Sequence, residues 1–184
     1  KLLKEWLEKQ NRSVLLTREP GGTNLGTSLR KILLANETGP ISPRAEALMY
    51  AADRAHHVFS LIRPALDRGD VVITDRYFDS SIAYQGAGRI LDPNEVGRIS
   101  RWATESLIPT LTIILDQDPA IGLKRIHNSD RLESEPIDFH NRIRDEYLRL
   151  AAQDPERYLV INAEHEISTI HTEITSRIFQ EAFM

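Results

Sequence analysis

Val71-Val72-Ile73-Thr74 constrains the fold more than any other stretch of this chain. Four apolar or β-branched residues follow one another without polar alternation. That pattern marks a short strand buried on both faces, the kind found in parallel sheets covered by helices. Asp75 and Arg76 follow at once, then a run of hydroxyls, aromatics and an amide through Gln85. Ligands of open α/β sheets bind just beyond the carboxyl ends of the strands. A carboxylate, a guanidinium and stacking groups at that point suit a metal-assisted site for a phosphorylated, planar ligand.

The rest of the chain repeats the alternation. Leu2, Leu3, Trp6 and Leu7 fall at helical spacing, and Ser13 to Thr17 reads as a strand. Leu25, Leu29, Ile32 and Leu33 form a helical stripe. A longer helix opens at Pro43 and runs to about Asp67, with Pro64 expected to kink or split it. Gly86 and Gly88 read as a flexible link to a helix capped by Asp92, with Pro93 at its first position. Strands are expected at Thr110 to Leu115 and Tyr158 to Ile161. Helices are expected at Ala120 to His127, Phe139 to Ala152 and Ile167 to Phe183, and Asn128 to Pro136 as a mobile polar loop. Helices between successive strands imply one parallel sheet with helices on both faces.

Composition narrows the function classes. At 184 residues the chain suits one domain. A net charge of −4 gives no argument for a long nucleic-acid duplex as partner. The absence of cysteine removes disulfides and thiolate metal sites. No apolar run is long enough for a transmembrane helix, and charges interrupt the apolar residues at the amino terminus, so a cytoplasmic location is expected. The first helix has no capping residue and no initiating Met, from which a strand and loop are expected ahead of Lys1.

Each candidate constellation has a plain alternative. Asp75-Arg76 could be a salt bridge at a strand end, but an Asp there can hold Mg²⁺ through water and an Arg can clamp phosphate bidentately. Arg18-Glu19-Pro20-Gly21-Gly22-Thr23 could be only a turn. Its paired glycines also let backbone approach a ligand, and Glu19 could reach a metal or an attacking group. Tyr50 and Arg54 share a helix face, either as an ordinary stacked pair or as an aromatic surface and donors for a base. Ser81, Tyr84 and Gln85 share another, and a Gln amide can pair with a pyrimidine edge. Lys124, Arg125, Arg131, Arg142 and Arg144 surround the polar loop, as a solvated face or as the movable cations of a lid over a transferring phosphate. His56 and His57 are adjacent on a helix, cannot converge on one metal, and read as structural.

In combination these motifs resemble a family. Thr17 to Thr23, Asp75-Arg76-Tyr77 with Asp79-Ser80-Ser81 through Gly86, and Leu115-Asp116 with Asp118-Pro119 and Gly122 to Arg125 look like thymidylate kinase of the bacterial type. The resemblance covers nearly the whole chain in order. It implies a P-loop NTPase-like α/β fold, phosphorylation of dTMP to dTDP with ATP and Mg²⁺, and a homodimer. By position, Arg76 is expected on the dTMP phosphate, helped by Arg30 and backbone near Glu19. Tyr50 is expected to stack on thymine, Arg54 to reach its O4, and Gln85 with Ser81 to read its other edge. Tyr84 is expected against the deoxyribose, and Asp75 on Mg²⁺ by way of water. The lid is expected over residues 125–142, with Arg131 at the transferring phosphate and Arg125 on adenine, which backbone near Ala163 touches from the other side.

The family's phosphate loop, G-x-x-x-x-G-K-[ST], does not occur in the 184 residues. It is expected just before Lys1, and without it turnover is not expected. The alternatives are another nucleoside monophosphate kinase on the same scaffold and a nucleotide-binding module without catalysis.

Overall fold

The computed structural model describes residues 1–183. Helix α1 (Leu2–Lys9) leads into strand β1 (Val14–Arg18), and α2 (Asn24–Leu34) starts behind a Thr23 cap whose side chain accepts from the Gly26 amide. Helix α3 (Pro43–His57) is capped by Ser42 and runs into a π-helical turn, Val58–Ile62, and α4 (Arg63–Asp67). Pro64 explains the break. Its nitrogen cannot donate to the preceding turn and its ring crowds that turn, so the helix widens just before it.

Strand β2 (Val71–Asp75) precedes the short α5 (Phe78–Ser81), which continues as a π-helical segment, Ile82–Gly88. Helix α6 (Pro93–Ala103) has Asp92 as its cap. Strand β3 (Thr112–Asp116), α7 (Pro119–Leu123), α8 (Ile137–Gln153), β4 (Tyr158–Asn162) and α9 (Ile167–Phe183) complete the chain. Helix α7 is shorter than the expected Ala120 to His127.

The strands are parallel, as the alternation requires, but they form two pairs rather than one sheet. Strand β1 pairs with β2 from Val14 against Val71 to Arg18 against Asp75, and β3 with β4 from Thr112 against Tyr158 to Asp116 against Asn162. Among the described residues no ladder joins β2 to β3. Both pairs belong to one body. Leu150 of α8 packs into the cluster of Val58, Ile62 and Phe78 beside Val72, and also into the cluster of Ile114, Ala151 and Tyr158. Helix α1 packs on β1, α9 on β4, and the two helices touch. Strand β2 is half-buried rather than enclosed on both faces, because a pair of strands leaves it as an edge.

Gly86 and Gly88 are not a flexible link. Both are buried in the π-helical segment, and a Cβ on Gly88 would sit 2.8 Å from the Phe139 ring. Gly88→Ala is therefore expected to destabilise the fold by about 1–3 kcal/mol through overpacking against α8. A urea titration showing a midpoint unchanged from the parent would contradict this packing.

Candidate functional site

Because β1 and β2 run parallel and in register, the loops that leave them start side by side. The Glu19 amide donates to the Asp75 carbonyl at 2.9 Å, which stitches the two loop starts together. Arg76 then turns with φ of 67°, in the left-handed region that a non-glycine residue enters at a cost of order 1–3 kcal/mol. The Thr74 hydroxyl holds that turn by donating to the Arg76 carbonyl at 2.9 Å. The Arg76 guanidinium lies 4.8 Å from the Tyr84 ring centroid.

A cleft opens there, enclosed by the β1 loop, α2, α3, α5 and the segment before α8. Its wall includes Glu19, Arg30, Tyr50, Arg54, Arg76, Ser81, Tyr84 and Gln85, all of them expected site residues. Arg30 donates to the Pro20 carbonyl at 3.1 Å. Tyr50 is buried in the cluster with Leu33, Ala83 and Phe139 and also lines the cleft.

Arg54 lies at the floor, 1% exposed. It donates through Nε to Glu19 at 2.7 Å and through Nη2 to the Ser81 hydroxyl at 3.1 Å and the Tyr77 carbonyl at 3.4 Å. Nη1 makes a longer contact to Ser100. A guanidinium has five N–H donors, so one, on Nη1, is left over by these four contacts.

Glu19 is buried with both oxygens committed, one to Arg54 and the other to His57 Nδ1 at 2.9 Å. His57 Nε2 meets the Thr17 hydroxyl at 2.8 Å, so a chain of bonds runs from β1 through α3 to the floor of the cleft. His57 is structural, as the sequence suggests, and it holds Glu19. A carboxylate so engaged orients Arg54 and is not free to take a metal. Asp53 lies alongside, buried, with Oδ2 lacking a partner among the described residues. Burial and the Glu19 charge push its carboxyl above the ordinary value.

Asp75 is exposed at the end of β2. Mg²⁺ usually binds one or two carboxylates and completes its shell with water and phosphate oxygens, which this single carboxylate fits. Among the described residues no three His, Asp or Glu side chains form a protein-only metal cage.

The basic set is dispersed. Arg142 donates to the carbonyls of Ala87 and Gly88, and Arg144 pairs with both oxygens of Asp116. Arg131 donates to the Leu33 carbonyl at 2.8 Å and to Glu46 at 2.6 Å. The loop around it is docked rather than free, since Leu132 is buried in the cluster with Leu33 and Tyr50. Arg125 is exposed after α7, and the Ala163 amide donates to the Asp116 carbonyl at 2.8 Å. Neither lines the cleft, since both belong to the β3–β4 end of the molecule.

Glu46 was not among the expected residues. It is fully buried yet ionised: burial would raise its pKa, but hydrogen bonds from Arg89, Gln85 and Arg131 outweigh that and hold it below the ordinary value. The sequence signal is slight, a carboxylate four residues before Tyr50 on the same helix face.

The thymidylate kinase family model matches residues 1–174. This chain belongs to the thymidylate kinase family. It is 53% identical over 180 residues to a thymidylate kinase of Clavibacter sepedonicus, which covers 96% of this chain and 85% of that one. A thymidylate kinase of Leifsonia xyli is 53% identical over 181 residues, with the same coverage. The crystal structure of thymidylate kinase from Ehrlichia chaffeensis superposes with a TM-score of 0.78 at 31% identity, covering 97% of this chain and 88% of that one. The α/β architecture is accordingly that of a P-loop NTPase-like kinase.

Proposed function

We infer that this member of the thymidylate kinase family transfers a phosphoryl group to dTMP, with ATP as donor. The observation that carries the reading is the cleft beyond β1 and β2, which gathers a cation, an aromatic wall, a buried guanidinium and a carboxamide. Arg76 holds the acceptor phosphate, with Arg30 beside it. Tyr50 stacks on thymine, Arg54 donates to O4, Ser81 and Gln85 meet the other edge, and Tyr84 lies against the deoxyribose. Transfer between phosphates needs positioning and charge neutralisation rather than a covalent intermediate.

Asp75 would hold Mg²⁺ by way of water, and the ion would neutralise charge on the donor phosphates. Arg125 and backbone at Ala163 would flank adenine at the β3–β4 end. Residues 125–142 would act as the lid, with Arg131 exchanging its docked position for the transferring phosphate. A phosphate loop and strand ahead of Lys1 would complete the donor side. Hydrogen bonds from such a strand to β2 and β3 would join into one sheet the two pairs that no ladder connects among the described residues. A cytoplasmic location belongs to the same proposal; among the described residues no helix is long and apolar enough to cross a membrane.

The reading is tested by calorimetry across dTMP, dUMP, dCMP and dGMP. Preference for dTMP is expected; preference for a purine nucleotide would overturn the roles of Gln85 and Arg54.

A homodimer is part of the same proposal. Ala47, Ala51 and Val58 are buried within the monomer. The outer face of α3 and its π turn, together with α6, instead exposes Leu48 at 56%, Phe59 at 77% and Trp102 at 81%. Large apolar side chains so exposed mark an interaction surface. Phe59→Glu is expected to convert dimers to monomers at micromolar concentration in sedimentation velocity. An unchanged sedimentation coefficient would place the interface elsewhere.

A further inference from the structure

Gln85 is buried, and its carboxamide has two possible orientations that present opposite chemistry to a base. Its Nε2 donates to Glu46 Oε1 at 3.0 Å, while Gln85 also lines the cleft. Glu46 offers no donor in return. Its Oε1 also accepts from Arg89 Nε at 3.2 Å, and its Oε2 accepts from Arg89 Nη2 at 3.1 Å and Arg131 Nη2 at 2.6 Å. Two guanidiniums around a 0% exposed carboxylate keep it charged and acceptor-only. A flipped Gln85 would set oxygen against oxygen in a buried site and leave its own oxygen facing a carboxylate without a donor.

We propose that Glu46 is a specificity-positioning residue: by holding the Gln85 amide nitrogen, it aims Oε1 into the cleft and so selects a pyrimidine that carries a proton on N3. Thymine and uracil carry that proton, and neutral cytosine presents a lone pair there instead. This rests on the reading that Gln85 faces the base. It adds that selection is imposed from behind by a carboxylate that never touches the nucleotide. Arg131 belongs to the loop that docks over the cleft, so docking of that loop and orientation of the reader converge on one carboxylate.

Glu46→Gln tests the inference with little change of shape. The oxygen of the new amide is drawn to Arg89 and Arg131, which turns its NH₂ toward Gln85. Gln85 then gains by rotating, which places its own NH₂ in the cleft, matched to cytosine N3. The readout is the ratio of Kd for dCMP to Kd for dTMP, measured by calorimetry without a phosphoryl donor. Thymine O4 and cytosine N4 contribute equally to the ratio before and after substitution, so its change reports the N3 edge. The ratio is expected to fall at least about tenfold, the effect of one mismatched hydrogen bond in a buried site.

A parent protein that prefers dTMP and a folded Glu46→Gln variant with the same ratio would overturn the inference. A parent protein without preference for dTMP would instead overturn the reading of Gln85 on which it rests. In the unsubstituted protein a second measurement bears on the point whether or not the variant folds. One Gln85 side-chain amide proton is expected to exchange slowly with solvent before any nucleotide is added. Exchange of both protons at solvent-exposed rates would also overturn it.

Discussion

Replacing Arg76 with alanine is expected to lower dTMP affinity by about 10²–10³-fold, the loss of two charge-assisted hydrogen bonds to a phosphate. The physical case begins with β2. Half-buried β2 ends at Asp75, the Thr74 hydroxyl holds a left-handed turn at Arg76, and the guanidinium comes to rest against the Tyr84 ring at the cleft. Its ring contact is with Tyr84 at the cleft wall. The variant should melt close to the parent, since alanine keeps a Cβ and meets the same left-handed φ as arginine. Calorimetry with dTMP and with thymidine separates the possibilities. Thymidine, lacking the phosphate, should bind both proteins alike, and equal loss for both ligands would assign Arg76 to the pocket's shape instead. Near-normal dTMP affinity would remove Arg76 from the acceptor site.

Glu19→Ala is expected to act through stability first. Arg54 and His57 both lean on this carboxylate from buried positions, and removal leaves a guanidinium without its counter-charge. Breaking such a buried pair costs about 3–5 kcal/mol. For a chain of this length that corresponds to a fall of about 10 °C in melting temperature. Thymine recognition should weaken as well, since Arg54 would no longer be held toward the cleft. Glu19→Gln should recover part of the stability, because the amide oxygen can still accept from Arg54. His57→Ala should be milder, as it removes the relay to Thr17 but leaves the charge pair intact. A Glu19→Ala protein that melts with the parent would show that Arg54 finds its counter-charge elsewhere.

Most of the element order and most of the cleft were legible in the residues. Val71 to Thr74 and Tyr158 to Ile161 read as strands because unalternated apolar runs suit little else. Arg76, Ser81, Tyr84 and Gln85 were visible because they follow such a run, and Tyr50 and Arg54 because they sit four apart on one helix face. What escaped notice was held by contacts across long stretches of chain. Glu46 meets Gln85, Arg89 and Arg131 from 39, 43 and 85 positions away. Gly86 and Gly88 looked like a hinge because glycine frees a backbone, yet here it admits Pro93 and Phe139 to close contact. Local sequence cannot tell these two uses of glycine apart.

The amino-acid sequence by itself determined the alternation of strands and helices, the parallel pairing it implies, and the motifs that identify the family. These follow from local periodicity, capping and spacing, which act over a few residues. Only the tertiary structure decided which charges are spent on one another. Glu19 is taken by Arg54 and His57, Asp116 by Arg144, and Glu46 by Arg89 and Arg131. A carboxylate and a guanidinium pair wherever burial removes water, and which two meet depends on the path of the whole chain.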